Sequence, residues 1–95
     1  MPLLRFSEKW PAARKPLDEW YRLTLRAEWK NFADVKGTFG QTDRARVRSG
    51  ATVAIFDIGG NKYRLITWVN FQYGVVYVRF IGTHREYDGI DARTV

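Results

Sequence analysis

The stretch TVAIFDIGGNKYRLITWVNFQYGVVYVRFI, residues 52–81, decides the fold. β-Branched and aromatic residues recur there at a period of two in three runs, 52–58, 62–69 and 75–81. Gly59-Gly60-Asn61 joins the first two runs and "NFQYG", 70–74, joins the last two, both in keeping with hairpin turns. A three-stranded antiparallel meander is predicted. Ahead of it the period lengthens to about 3.6. Residues 3–10 predict a short helix ending at Pro11, and a second helix takes Pro16 into its first turn, with Leu17, Trp20, Tyr21 and Leu25 at helical spacing. Phe32, Val35 and Phe39 fit one more short helix, stopped by Gly37 or Gly40. The polar, basic "QTDRARVRSG", 41–50, predicts an exposed loop. The expected architecture is α+β, with N-terminal helices packed on a small antiparallel sheet in one domain over 1–95.

Composition narrows the function. A chain of 95 residues buries only about 60–65% of its unfolded surface, enough for one core and one shallow site. Aromatics at 16%, four of them Trp, supply large buried area to a small core. The absence of cysteine excludes a disulfide scaffold and thiol catalysis, and with a single histidine it argues against structural zinc. No apolar run has the length of a membrane span, and the start leads straight into charged sequence, so a soluble, intracellular protein is expected. Sixteen Lys and Arg against ten Asp and Glu give +6, a charge suited to phosphates or to an acidic protein.

Strand alternation places the charges. Lys62, Arg64, Ile66 and Trp68 share one face of the second strand, opposite Tyr63, Leu65, Thr67 and Val69. In the third strand Arg79 aligns with Tyr77 and Ile81, and Val76, Val78 and Phe80 form an apolar face expected to meet the helices. The other face then carries Arg64 and Arg79, with His84 and Tyr87 just beyond the strand end. Two arginines on neighbouring strands suit an anion, and histidine is the side chain that titrates near neutral pH. The Gly59-Gly60-Asn61 turn lacks the spacing and the following helix of a phosphate-cradling loop. No Ser-His-Asp set fits.

"FDIGGNKYRLI" followed by "VYVRFIGTHREYDGID" resembles the signature half of the HigB-type toxins, RelE-like mRNA endonucleases of bacterial toxin–antitoxin pairs. "PLDEWYR", "AEWKNFADVKGTF" and "TDRARV" resemble the family's helical half, so the likeness runs through nearly the whole chain. Two departures stand out. Family members open with a short strand before the first helix, whereas this chain begins almost at that helix. Asp57 stands where the family commonly has Asn before "IGGN".

The resemblance implies a RelE-like fold and a ribosome-dependent ribonuclease of the bacterial cytoplasm. It would cut mRNA without metal or other cofactor and be neutralised by a HigA-type, helix-turn-helix antitoxin. In such cleavage a ribose 2′-OH attacks the adjacent phosphate. Arg64 and Arg79 would hold the transition-state charge and His84 would carry one proton transfer. Tyr87 would orient substrate, stack on a base, or act as the partner acid or base. Lys62 and the Arg44, Arg46 and Arg48 segment would hold RNA backbone by charge. The rival reading is a non-catalytic basic module that binds RNA or an acidic protein.

Overall fold

The computed structural model describes residues 2–46, 52–60 and 62–90, with backbone alone at 2–4, 45 and 46. Helix α1 spans Pro2–Lys9, and Pro11 then starts a single 3-10 turn, Pro11–Ala13. Helix α2 follows at once as Arg14–Arg26, with Pro16 in its first turn where no intrahelical N–H is needed. Helix α3 spans Phe32–Thr38 and is capped by Asn31, whose Oδ1 accepts from the Asp34 N–H at 3.0 Å. It runs through Gly37 and ends one residue later, before Phe39 and Gly40.

Among the described residues the sheet has four strands, one more than predicted: β1 Asp43–Arg46, β2 Thr52–Ile58, β3 Tyr63–Asn70 and β4 Val75–Thr83, in that spatial order and all antiparallel. The correction falls on Asp43–Arg46 within "QTDRARVRSG", expected as loop; residues 47–50 of that stretch lie outside the described residues. Asp43 pairs with Ile55 and Arg44 with Ala54, so β1 is an edge strand held by backbone pairing. An edge strand needs no apolar alternation, and charges on it discourage a further strand from joining. In the β2–β3 turn Gly59 and Gly60 have φ of 65° and 73°, values that favour glycine. The Asn70 side chain closes the β3–β4 turn by accepting from the Tyr73 N–H at 3.1 Å.

The main core lies between the first three helices and one sheet face. Leu17 and Trp20 of α2, Val35 of α3 and Ala13 pack on Ala54, Phe56, Ile58, Tyr63, Leu65 and Val69. Phe56 is the hub, its ring 5.4 Å from Trp20, 5.2 Å from Phe39 and 6.3 Å from Trp29. Edge-on and offset rings of this kind add about 0.5–1.5 kcal/mol per pair beyond burial. Tyr21 and Leu25, at helical spacing with Leu17, are nonetheless exposed, because α2 turns only a narrow stripe inward.

The opposite face is not bare. Val53, Ile55 and Ile66 form a second apolar cluster, covered by Trp68, Phe80, Tyr87 and Ile90. Phe80 was expected on the helix side; a β-bulge moves it. Ile66 pairs with Phe80 and Thr67 with Val78, which leaves Arg79 with no residue opposite it. The extra residue resets the alternation. Val76, Val78 and Ile81 pack on the main core while Phe80 joins the far cluster.

Candidate active site on the outer sheet face

Strand β4 passes into helix α4, His84–Asp88, with no loop between them. Thr83 makes the junction. Its Oγ1 accepts from the Glu86 N–H at 3.2 Å, and Glu86 Oε1 accepts from the Thr83 N–H at 3.0 Å, a reciprocal capping box. That backbone hydrogen bond from Thr83 holds the Glu86 carboxyl below its ordinary value. The His84 backbone N–H donates to the Lys62 carbonyl at 3.1 Å, which ties the start of α4 to the β2–β3 turn. Tyr87, one turn on, lies over Ile66 and its neighbours. Packing below and two caps at the start therefore fix where the imidazole sits.

Three of the four residues expected at the catalytic centre come together here. The Arg64 guanidinium lies 5.6 Å from the centre of the Tyr87 ring. The Tyr87 and His84 rings meet edge to face at 6.3 Å. His84 Nδ1 is 3.4 Å from Asp88 Oδ2, an ion pair when the imidazole is protonated. The imidazole is well exposed and Tyr87 half-buried, so a substrate can reach the first while leaning on the second.

Arg64 has a partner that single-strand alternation does not show. Its Nη1 donates to Asp57 Oδ1, directly across the β2–β3 ladder. Both side chains are largely buried. The pair offsets much of the charge of Arg64 and leaves its remaining N–H groups to bind an anion. Hairpin counting could have found it: the ladder that pairs Ile58 with Tyr63 must set Asp57 against Arg64.

Arg79 shares the face but not the cluster. Its guanidinium lies over Trp68, 4.6 Å from the ring centre. Trp68 is four residues along β3 from Arg64, about 13 Å between α-carbons at strand rise. The Ile66–Phe80 pair falls between them. The expected pairing of Arg64 with Arg79 is thus a shared face, not a shared spot. Lys62 is exposed beside the turn. Arg44 lies on the opposite edge strand, 5.6 Å over the Phe32 ring. Arg46 is placed by its backbone in β1, and Arg48 lies outside the described residues.

Among the described residues no group of His, Cys, Asp and Glu could hold a metal ion, and no helix is long and apolar enough to cross a membrane.

N-terminal helices packed on a small antiparallel sheet are the arrangement the sequence resemblance implied, and comparison with known proteins gives the same family. Residues 13–90 match the model of the HigB toxins, described as the RelE-like toxic component of a toxin–antitoxin system. The chain belongs to the HigB toxin family. It is also similar to the mRNA interferase HigB of Escherichia coli O6:H1, 28% identical over 87 residues that cover 92% of this chain and 82% of that one. The mRNA interferase HigB of Shigella flexneri is 28% identical over 82 residues, 86% and 77% of the two chains. As a HigB toxin, the protein is the toxic half of a toxin–antitoxin pair, and the α+β, RelE-like fold matches that membership. Alternation had set Trp68 beside Arg64 and Tyr77 beside Arg79, and Asp57 stood out only as a departure from the family pattern; none of the three was given a role, and the ladder now puts all three on the face of Arg64.

Proposed function

We propose that this HigB toxin is an endoribonuclease that cleaves mRNA on the ribosome and so inhibits translation. One observation carries the reading. A cation, a phenol and an exposed imidazole, Arg64, Tyr87 and His84, form a contiguous chain at the mouth of the sheet. The relatives' names, mRNA interferase, support the same chemistry.

The step needs no cofactor. A ribose 2′-oxygen bonds to the adjacent phosphorus, the bond from phosphorus to the 5′-oxygen breaks, and a cyclic phosphate and a 5′-hydroxyl result. The 2′-hydroxyl loses a proton and the leaving 5′-oxygen gains one. His84 and Tyr87 divide these two transfers. Arg64 lies beside Tyr87, where an oriented donor stabilises the charge of the phosphorane. Arg79 meets the RNA farther along the face. Lys62, Arg44, Arg46 and Arg48 contribute charge to RNA backbone.

So few groups position an RNA poorly without help, and the ribosome supplies the orientation. A HigA-type, helix-turn-helix antitoxin covers basic surface of the +6 chain in the bacterial cytoplasm, where mRNA is translated.

The test compares purified toxin on naked RNA and in a translating extract, with His84→Ala alongside. Clear fragments in the extract, weak cutting of naked RNA and loss of both in the variant are expected. Fast cutting of naked RNA would remove the ribosome from the account. An extract without fragments would leave a non-catalytic binding module instead.

A further inference from the structure

The far half of the outer face holds an arrangement that the proton-transfer cluster does not use. Tyr77 sits directly opposite Trp68 across the β3–β4 ladder, on the same side of the sheet. Tyr77 is 54% exposed, high for an aromatic residue in mid-strand. Arg79, two residues on, is carried to this side by the bulge and seated over the Trp68 indole at 4.6 Å. An exposed ring therefore stands beside a cation whose side chain is already ordered by an aromatic support.

We propose that Tyr77, Trp68 and Arg79 form a subsite for one unpaired nucleobase of the RNA, with Tyr77 stacking on the base and Arg79 meeting its phosphate. The subsite rests on the ribonuclease reading and lies apart from the bond that is cut. Single-stranded RNA offers both components in a fixed relation, a flat π face and an adjacent negative charge. Proteins that bind it combine aromatic stacking with basic grooves for that reason. Charge and continuity favour RNA over a protein partner: the flanking cation is Arg79, and the face runs without interruption over Ile66 and Phe80 to Tyr87 and His84. Stacking tolerates any base, so the subsite adds affinity and register rather than a sequence code. Arg79 then acts in binding, and its loss raises the toxin concentration needed for half-maximal cleavage more than it lowers the limiting rate.

The experiment uses the whole protein and a short fluorescein-labelled single-stranded RNA, followed by anisotropy at low salt. Tyr77→Ala is expected to weaken binding by about 5- to 150-fold, the range for one lost base–aromatic stack. Tyr77→Phe should bind as wild type because it keeps the ring. Tyr73→Ala, at a still more exposed tyrosine in the β3–β4 turn, should change nothing. A set of RNAs each lacking one base should contain one whose loss weakens wild type as much as Tyr77→Ala does and weakens Tyr77→Ala no further. The subsite is overturned if wild type does not bind the RNA, if Tyr77→Ala binds like wild type, or if every missing base costs both proteins equally. It is also overturned if Tyr77→Ala keeps RNA binding but loses the co-purifying antitoxin. Cleavage in a translating extract reports separately on the enzyme. A toxin that shows the one-base signature yet cuts nothing defeats the ribonuclease reading and leaves the subsite standing.

Discussion

Breaking the Arg64–Asp57 pair tests how the outer face is held together. The two side chains retain 12% and 19% of their accessible surface. The contact therefore lies between an exposed ion pair, about 0.2–1 kcal/mol, and a fully buried one, whose rupture costs about 3–5 kcal/mol. A loss of about 2 kcal/mol follows for Asp57→Ala. Arg64→Ala also removes the cation over Tyr87, about 0.5–1 kcal/mol more. A domain of this size moves its Tm by about 4–8 °C per kcal/mol. Asp57→Ala should therefore melt roughly 8–16 °C low, and Arg64→Ala roughly 10–24 °C low. The double variant should be no worse than Arg64→Ala, because one interaction is lost once, giving a coupling of about 2 kcal/mol. Cleavage separates the two residues. Arg64→Ala should lose about 10²–10³ in single-turnover rate on stalled ribosomes, while Asp57→Ala keeps the guanidinium and most of the rate at a temperature where it is folded. Additive melts, with coupling below about 0.5 kcal/mol, would refute the pair as a support. A wild-type cleavage rate for Arg64→Ala would refute the catalytic centre.

Two further outcomes follow from the α4 junction. The Glu86 carboxyl is held below its ordinary 4.5 in the folded chain, chiefly by the Thr83 backbone N–H. Its contribution is therefore fully present above 4.5 and is lost as pH falls through the lower folded value. Melts from neutral to acid pH should fall less steeply for Glu86→Gln than for wild type; identical slopes would contradict the box. At Gly82 an added Cβ would lie 2.5 Å from Phe80 Cζ and 3.3 Å from Glu86 Cβ. Gly82→Ala should cost about 1–3 kcal/mol as the ring is displaced, with shifted His84 ring resonances, and an unchanged melt would show that the face has room to spare.

How legible each element was depends on what signals it in one dimension. The meander β2–β4 was readable because its strands are rich in β-branched and aromatic residues and bounded by turn residues, and the glycines of its first turn mark the reversal. Strand β1 gives no such signal: Asp43-Arg44-Ala45-Arg46 is polar because it lies at an edge, and backbone pairing with β2 makes it a strand. Val76, Val78 and Phe80 read as one apolar row, but the bulge shifts the register after Val78. The adjacent apolar pair Phe80-Ile81 was the available hint, since neighbours in a strand face opposite ways and both needed cover. His84, Tyr87 and Arg64 could be placed on one face from alternation and proximity to the strand end. The separation of Arg79 from Arg64 could not, because it depends on which ring the guanidinium rests upon. Asp57 lay within reach of hairpin counting, whereas the exposure of Tyr21 and Leu25 depends on how narrow a stripe of α2 the sheet accepts.

The bulge in β4 has a genetic consequence. Remove Arg79 and the remaining run, Val76-Tyr77-Val78-Phe80-Ile81, alternates without a fault, with Val76, Val78 and Ile81 still inward and Tyr77 and Phe80 still outward. Loss of that single codon would thus straighten the strand while every other side chain of the run kept its side. Loss of Val78 would instead cost the main core one of its walls. Arg79 is a residue the architecture carries without depending on it, and a lineage that abandoned its use could shed it in one in-frame deletion and still make a folded protein.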